Sequence, residues 1–118
     1  MKVLVVDDAK FMRLTLGNII RKLGHEVVEA ENGREALEKY REHRPDLVTM
    51  DITMPELDGV EAVKKLKQFD PGARVIMVSA MGQNELVVQA VQNGAVDFVV
   101  KPFSEDRIRD TIQKAGVR

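Results

Sequence analysis

The sequence predicts an α/β fold, a doubly wound and five-stranded parallel sheet with helices on both faces. Short apolar runs rich in Val and Ile recur at nearly regular spacing and have the length of strands. Segments with helical periodicity lie between them, and Gly or Pro follows these segments, where the chain has to leave a helix. The five predicted strands are residues 3–6, 27–30, 47–50, 75–78 and 96–100.

The first predicted helix follows the first strand and ends near Gly24. Its apolar residues have helical spacing: Phe11, Leu14, Ile19 and Leu23. The second strand contains or adjoins Glu26 and Glu29 among its valines. Charged residues suit the edge of a parallel sheet better than its centre, where both faces are covered. We therefore expect the second strand to lie at one edge.

Three helix starts carry a capping signal. Asn32 with Glu35, and Asp58 with Glu61, have the spacing in which a side chain caps the first turn and an acid follows three residues later. Ser104 is followed by two acidic residues, and a helix N-terminus favours negative charge. These signals predict the starts of the second, third and fifth helices.

The fourth predicted helix has an apolar arc wider than one buried stripe requires. Its members are Leu86, Val87, Val88, Ala90 and Val91. At least one of them should be exposed. Together with Phe98 on the fifth strand and with the last helix, this arc could form a partner-binding face, or it could simply be buried against the sheet.

The order of the strands follows from their composition. Strands that alternate with helices form parallel sheets, because each crossover returns the chain to the same end. The first and third strands end in acidic residues and are the natural central pair, whereas the second and the fifth strands suit the two edges. The predicted order is therefore 2-1-3-4-5.

Polar residues follow four of the predicted strands. Asp7 and Asp8 follow the first strand, Asp51 the third, Ser79 the fourth and Lys101 the fifth. The carboxyl ends of parallel strands open on one edge of the sheet, so these side chains should converge there. Carboxylates 4 Å apart repel by roughly 4 kcal/mol at an effective dielectric near 20, and such a cluster favours a bound cation.

The chemistry of this cluster suggests its ligands. Oxygen ligands without His or Cys suit Mg²⁺, Mn²⁺ or Ca²⁺, and a site with few carboxylates suits Mg²⁺ best. An aspartate beside a hard cation and a lysine is also a plausible phosphoryl acceptor. The alternative is that these residues are solvated loop carboxylates and helix caps.

Composition excludes several classes of function. The chain has 118 residues, 18 Lys plus Arg against 19 Asp plus Glu, no Cys and five aromatic residues. These values predict one domain, and they exclude disulfide frameworks, Cys-ligated metals and thiol nucleophiles. Without a basic block or an aromatic platform, binding of nucleic acid is not expected. The first apolar run is too short for a signal peptide or a membrane span, so we expect a cytoplasmic protein without membrane insertion.

Four stretches carry a resemblance to a known family: VLVVDDAKFMR, DLVTMDITMPELDG, VIMVSAMG and DFVVKPF. They resemble the signature stretches of the response-regulator receiver domain of two-component signalling, which has a flavodoxin-like fold. Within that family, MDITMPELDG and SAMGQ are most similar to the single-domain chemotaxis regulators. The resemblance covers essentially the whole chain, so residues 1–118 are expected to be a single receiver domain with no room for an output domain.

The resemblance implies an acidic metal site. Asp51 would be the phosphorylated aspartate, which accepts its phosphoryl group from a histidine kinase. Asp7 and Asp8 would hold Mg²⁺ directly or through water, together with Asp51. Thr53 would offer its backbone carbonyl to the same ion.

The resemblance also implies the residues that respond to phosphorylation. Lys101 would neutralise a phosphoryl oxygen, and its bond to Pro102 is expected to be cis. Ser79 would supply the hydroxyl that moves toward the phosphate, and the rotamer of Phe98 would report the state. Phe98 stands where enterobacterial chemotaxis regulators have Tyr, so a hydroxyl that a partner could bond is missing. Thr53 and Met81 occupy positions that tune the rate of dephosphorylation in this family.

The expected function is a phosphorylation-activated signalling switch. The protein would not be an enzyme with a separate substrate, but would phosphorylate itself and slowly dephosphorylate itself. It would act as a monomer through phosphorylation-dependent binding of a protein, in chemotaxis the flagellar motor switch. One alternative is a stand-alone or excised receiver of another two-component pathway.

Two alternatives from other classes fit less well. An aspartyl-phosphate phosphatase of the haloacid-dehalogenase type has an acid two residues after its nucleophile, where this chain has Thr53. A flavodoxin-like carrier of FMN has a phosphate-binding loop after the first strand, where Asp7 and Asp8 would repel a phosphate. A structural domain without a ligand would leave the acidic cluster unexplained.

Overall fold

The computed structural model describes residues 1–54 and 57–116, so Pro55 and Glu56 of the stretch DITMPELDG lie outside the described residues. Strands and helices alternate along this part of the chain. Their bounds are β1 Lys2–Val6, α1 Lys10–Lys22, β2 Glu26–Ala30, α2 Gly33–His43, β3 Leu47–Asp51, α3 Gly59–Phe69, β4 Val75–Ser79, α4 Asn84–Gln92, β5 Asp97–Val100 and α5 Glu105–Gly116. Each predicted strand is confirmed to within one residue at either end. None of these helices has the length and hydropathy that crossing a membrane requires.

The strands form one parallel sheet in the order β2-β1-β3-β4-β5, as predicted. Val6, near the end of β1, pairs with Ala30 of β2 on one side and with Met50 of β3 on the other. Asp51, the last residue of β3, pairs with Val78 of β4. The carboxyl ends of β1, β3 and β4 are therefore side by side.

Each face of the sheet packs against its own helices. Residues of α2, α3 and α4 form one buried cluster with the sheet, which includes Tyr40, Leu66 and Ala90. Residues of α1 and α5 form the other cluster, which includes Leu16 and Ile112. Since both faces are covered, the strands β1, β3 and β4 are almost wholly buried, and this explains their continuous apolar sequences.

The three predicted helix starts are confirmed. The side chain of Asn32 accepts a hydrogen bond from the backbone N–H of Glu35 at 2.8 Å, and Asp58 accepts one from Glu61 at 2.9 Å. Ser104 Oγ accepts a hydrogen bond from the backbone N–H of Arg107 at 3.0 Å. Each cap satisfies an N–H group that has no partner within its helix.

The apolar stripe predicted for α1 is wrong in part. Phe11 is 81% exposed and Leu14 is 41% exposed, although both have the predicted helical spacing. The face that packs on the sheet instead contains Arg13, Leu16 and Ile20, which also have helical spacing. The sequence pattern identified the helix correctly, but it did not select the buried face, because Arg13 is charged and yet is buried.

The exposure predicted for α4 is confirmed. Val87 and Ala90 are buried against the sheet. Val88 and Val91 are 54% and 48% exposed. The apolar arc of this helix is therefore wider than its buried face, and part of it lies at the surface.

Candidate functional site

Three carboxylates meet at the carboxyl edge of the sheet. Asp7 and Asp8 directly follow β1, and Asp51 is the last residue of β3, the strand beside it. Each offers an oxygen atom, and these atoms all lie within 4.8 Å of one another. Asp7 and Asp51 are buried and Asp8 is exposed, so the group opens to solvent on one side. We call Asp7, Asp8 and Asp51 the acidic cluster.

Lys101 provides the opposite charge. Its Nζ lies 3.3 Å from Oδ2 of Asp7 and 3.4 Å from Oδ1 of Asp51, so one ammonium group contacts two of the three carboxylates. The bond between Lys101 and Pro102 is cis, as predicted. The backbone N–H of Lys101 donates a hydrogen bond to the carbonyl of Ser79 at 2.7 Å, which joins the ends of β5 and β4.

The other predicted site residues surround this cluster. Ser79 ends β4 and is buried, one residue beyond the partner of Asp51 in the ladder. Thr53 is exposed in the segment after β3, and its hydroxyl accepts a hydrogen bond from Gln83 at 2.7 Å. Phe98 lies on the edge strand β5 and is 37% exposed. The fold thus brings the predicted residues from four strands to one edge, whereas Phe98 lies nearer the amino end of β5.

The charge of Asp51 is unfavourable in this environment. Burial raises the pKa of its carboxyl group from 3.8 to about 6, and the negative charge of Asp7 adds to the increase. The ammonium group of Lys101 opposes the increase, both through its charge and through its hydrogen bond. A second cation in the cluster would stabilise the ionised form further.

The acidic cluster fits a hard divalent cation. All of its candidate ligand atoms are carboxylate oxygens, and such atoms suit Mg²⁺, Mn²⁺ or Ca²⁺ rather than softer metals. Three carboxylates face one lysine ammonium, which leaves two negative charges in excess when all four groups are ionised. The donor set and the excess charge both favour a metal ion at this position.

Gly59 brings α3 close to the phosphoacceptor candidate. A Cβ atom at this position would lie 2.3 Å from the carbonyl oxygen of Asp51 and 2.8 Å from Cα of Ile52. The backbone N–H of Gly59 donates a hydrogen bond to the carbonyl of Ile52 at 2.7 Å. The first residue of α3 is therefore in contact with the end of β3, and only glycine allows this approach.

Arg13 is a supporting residue that the sequence analysis did not identify. Its Nη1 donates a hydrogen bond to the backbone carbonyl of Asp7 at 2.8 Å, and its Nε donates one to Oε1 of Glu29 at 3.0 Å. The guanidinium group is buried, and Glu29 balances its charge. The signal was present in the sequence, because Arg13 precedes Leu16 and Ile20 by three and seven residues and so lies on the buried face of α1.

Gln83 is a second residue that the sequence analysis missed. Its Oε1 accepts a hydrogen bond from the backbone N–H of Ala80 at 2.7 Å, while its Nε2 donates one to the hydroxyl of Thr53 at 2.7 Å. This side chain connects the segment after β3 to the segment after β4. No spacing rule predicts it, because the two segments are 30 residues apart in sequence.

This architecture, with its acidic edge and its lysine, defines the class of the protein. A family model described as the response regulator receiver domain matches residues 3–113. The chain belongs to this family, and it is therefore a receiver domain of two-component signalling, as the sequence analysis predicted.

Among individual proteins, the chain is highly similar to chemotaxis proteins. The chain is 60% identical over 114 residues to the chemotaxis protein CheY of Bacillus subtilis, a match that covers 96% of this chain and 95% of that protein. It is 54% identical over 116 residues to CheY of Thermotoga maritima, with 98% and 97% covered. Among solved structures, a chain of the CheX-CheY-BeF3-Mg²⁺ complex of Borrelia burgdorferi matches with a TM-score of 0.94 and 37% identity, with 100% of this chain and 90% of that chain covered.

Proposed function

We propose that this protein is a phosphorylation-activated switch in which Asp51 accepts a phosphoryl group from the phosphohistidine of a histidine kinase. One observation carries the proposal: the carboxylate of Asp51 lies in a group of three acids that could hold a metal, with Lys101 Nζ 3.4 Å from its Oδ1. The charges needed to stabilise a phosphoryl group are thus grouped around one carboxylate. The similarity to chemotaxis protein CheY supports the same role.

The chemistry requires positioning and charge more than a catalytic base. A carboxylate oxygen of Asp51 attacks the phosphorus atom, and the P–N bond to the donor imidazole breaks. The electron pair of that bond stays on the ring nitrogen, and the imidazole leaves as a neutral group because its other nitrogen already carries a proton. Lys101 offsets the negative charge that Asp51 carries into the reaction. Asp7, Asp8 and the Thr53 carbonyl would hold Mg²⁺ together with Asp51, and the bound ion would supply positive charge to the phosphoryl oxygens. The same residues allow self-phosphorylation from a small donor and slow self-dephosphorylation.

The switch operates by a shift between two conformations. A phosphoryl group changes their populations only through contacts that it makes better in one of them, here with the hydroxyl of Ser79 and with Lys101. Ser79 ends β4 and Lys101 directly follows β5, and these neighbouring strands lead to α4 and α5. The exposed apolar residues Val88, Val91 and Phe98 then form part of the surface that a partner binds in the phosphorylated state.

Mass spectrometry after incubation with acetyl phosphate and Mg²⁺ tests phosphorylation directly. The wild-type protein should gain one phosphoryl group, and Asp51→Asn should gain none. Asp106→Asn is the matched control, since Asp106 is exposed on α5 and pairs with Arg109 rather than with the acidic cluster. An equal gain in Asp51→Asn, or no gain in the wild-type protein, would contradict the assignment of Asp51.

We propose further that the phosphorylated protein binds a flagellar motor switch protein, and that this binding is its output. In this role the receiver is cytoplasmic and monomeric. The test is capture of the phosphorylated and the unphosphorylated protein by an immobilised peptide from the motor switch. Stronger capture of the phosphorylated form, weakened by Val91→Asp but not by the exposed control Leu14→Asp, supports a chemotaxis role. Equal capture of both forms would favour a receiver of another two-component pathway.

A further inference from the structure

Gln83 directly precedes α4, in the N-cap position, but its side chain does not cap that helix. It is the N-cap residue, yet its side chain makes no hydrogen bond to the N–H groups of the first turn. The amide group instead accepts from Ala80 N–H and donates to Thr53 Oγ1, both at 2.7 Å. We call these two hydrogen bonds the Gln83 bridge. The N-cap side chain of α4 thus contacts another loop and leaves the N–H groups of its own helix without a side-chain cap. We infer that this contact has a role other than capping.

The backbone N–H of Ala80 lies just beyond the end of the strand that neighbours Asp51. Ala80 directly follows Ser79, and Ser79 ends the strand next to Asp51. Neighbouring strands are about 4.8 Å apart, and a phosphoryl group lengthens the Asp51 side chain and adds three acceptor oxygens. Unpaired N–H groups at the ends of elements are common donors to such anions. In this structure, however, the single hydrogen of Ala80 N–H is already bonded to Gln83.

We propose that Gln83 is a positioning residue that holds the loop between β4 and α4 in its unphosphorylated arrangement, and that a phosphoryl group on Asp51 displaces it from Ala80 N–H. This inference rests on the proposed function of Asp51. Two acceptors compete for one hydrogen, and the charged phosphoryl oxygen is the stronger, because hydrogen bonds to ionised groups are roughly twice as strong as those between neutral groups. Displacement of the amide oxygen ends the bond that fixes the Gln83 side chain on Ala80.

The Gln83 bridge provides a physical connection from the acidic cluster to α4. Thr53 is two residues beyond Asp51, and Gln83 is the residue directly before α4. Once Gln83 is displaced from Ala80, its amide keeps only the hydrogen bond to Thr53. The start of α4 is then no longer held to the end of β4, and the helix can shift with its loop. Val88 and Val91, the exposed apolar residues of this helix, lie within its next two turns.

Four proteins test the proposal, each studied with and without Mg²⁺ and beryllofluoride, a mimic of a phosphoryl group. Gln83→Leu removes both hydrogen bonds of the bridge at similar side-chain size. Thr53→Val removes only the hydroxyl that accepts from Gln83. Gln89→Leu is the matched control, because it makes the same change at an exposed position of α4. Two quantities are measured: amide exchange at Ala80 by NMR, and the affinity for beryllofluoride by calorimetry.

The expected results differ from those of a merely structural residue. Without beryllofluoride, Ala80 N–H should exchange about three- to tenfold faster in Gln83→Leu than in the wild-type protein, because one net hydrogen bond changes an equilibrium by up to about tenfold. With beryllofluoride bound, the two proteins should show equally slow exchange at Ala80. Gln83→Leu should also bind beryllofluoride about three- to tenfold more tightly, Thr53→Val less so, and Gln89→Leu like the wild-type protein.

Two outcomes would overturn the inference. If the wild-type protein binds beryllofluoride but Gln83→Leu binds it equally or more weakly, Gln83 does not compete with the phosphoryl group. If Ala80 N–H exchanges rapidly in the loaded wild-type protein, the phosphoryl group does not take this donor. If the wild-type protein binds no beryllofluoride in the presence of Mg²⁺, the proposed function of Asp51 itself is contradicted. Failure of the Gln83 bridge alone would leave this wild-type binding intact.

Discussion

At the scale of single residues, the acidic cluster places like charges close together in a largely buried site, and this by itself destabilises the folded state. Asp51 is 7% exposed, and Asp7 is 2% exposed. Lys101 contacts both of them, so one cation stabilises two buried anions. Arg13 donates a hydrogen bond to the backbone carbonyl of Asp7, and the carboxylate of Glu29 balances its charge. Burial therefore disfavours the ionised carboxylate of Asp51, and the ammonium group of Lys101 reduces this cost.

We expect Asp51→Asn to stabilise the metal-free protein at neutral pH. The pKa of Asp51 is raised in the folded state from 3.8 to about 6, so the folded state binds the proton more tightly than the unfolded state. Stability conferred by the neutral carboxyl is fully present below about pH 4 and is lost as the pH rises to about 6. At pH 7.5 the amide should therefore raise the free energy of unfolding by about 3 kcal/mol. Urea unfolding in EDTA measures the change.

The pH dependence provides the control for this prediction. At pH 4 the carboxyl group of Asp51 is protonated in the folded state, and the gain from Asp51→Asn should be small. Asp106→Asn should not stabilise the protein at either pH, since Asp106 is an exposed residue of α5. A gain that is the same at pH 4 and pH 7.5 would show that the charge of Asp51 is not its cause.

We expect Arg13→Met to destabilise the protein by about 1–3 kcal/mol, the usual range for a lost hydrogen bond to a charged group. Arg13 is buried and bonds both Asp7 and Glu29. Arg21→Met is the matched control, because Arg21 also pairs with Glu29, at 3.7 Å, but its side chain is 47% exposed. That change should cost less than about 1 kcal/mol. Urea denaturation separates the two, and equal losses would argue against a special role of Arg13.

At the scale of helices and strands, the site depends on how closely each helix start approaches a strand end. Gly59 brings α3 into contact with the backbone of Asp51, and Asp58 caps the same helix. Lys101 N–H bonds the carbonyl of Ser79 and so holds the ends of β4 and β5 together. These contacts use backbone atoms, which side-chain rotation cannot relieve. The packing of the elements therefore sets the backbone positions from which the side chains of Asp51, Ser79 and Lys101 extend.

We expect Gly59→Ala to impair both stability and phosphorylation. The added methyl group would lie 2.3 Å from the carbonyl oxygen of Asp51, so α3 or the end of β3 has to move. The cost should be about 2–3 kcal/mol, in the range of overpacked sites, with slower phosphorylation by acetyl phosphate. Thermal unfolding and the phosphorylation assay measure the two effects.

Gly17→Ala is the matched control for this change. Gly17 lies inside α1, and a Cβ atom there would meet its nearest neighbours, Arg21 and Val27, at an ordinary 3.6 Å. Alanine favours a helix interior over glycine by roughly 0.5–1 kcal/mol, so Gly17→Ala should be neutral or stabilising and should not affect phosphorylation. A similar loss in both variants would show that the close approach of α3 to Asp51 is not the cause of the loss in Gly59→Ala.

At the scale of the whole molecule, the site exists only in the folded chain. Asp7 and Lys101 are 94 residues apart in sequence, yet their side chains are 3.3 Å apart. The parallel sheet makes this possible, because every strand ends at the same edge. Binding of a metal ion at this edge requires the correct packing of β1 and β3, and the approach of Lys101 requires that of β5. Metal binding and global stability should therefore be linked.

We expect Mg²⁺ to raise the melting temperature of the wild-type protein. A ligand at 100 times its dissociation constant, bound only by the folded state, adds about 2.7 kcal/mol to the free energy of unfolding. For a domain of this size the melting temperature should rise by several degrees, on the order of 5–10 °C. Calorimetry with MgCl2 against NaCl of equal ionic strength measures the change. The rise should be much smaller in Asp51→Asn, and an equal rise in both proteins would place the ion elsewhere.

The sequence by itself determined the number and kind of elements, the strand order and the membership of the site. These features are local or follow from simple rules: apolar runs form strands, capping residues begin helices, and residues at the carboxyl ends of parallel strands converge. Asp7, Asp8, Asp51, Ser79 and Lys101 were identified in this way. The signature stretches also determined the family.

Only the tertiary structure decided which contacts support that site. Arg13 lies on the buried face of α1, whereas Phe11 is exposed. The buried position of Arg13 depends on its hydrogen bonds to the carbonyl of Asp7 and to Glu29 of β2. Gln83 contacts Thr53 through loops that no sequence spacing relates. The physical reason is that a single hydrogen bond leaves no periodic pattern in the chain. The helical spacing of Arg13 indicates which face of α1 it shares, but neither it nor the position of Gln83 indicates the bonding partner.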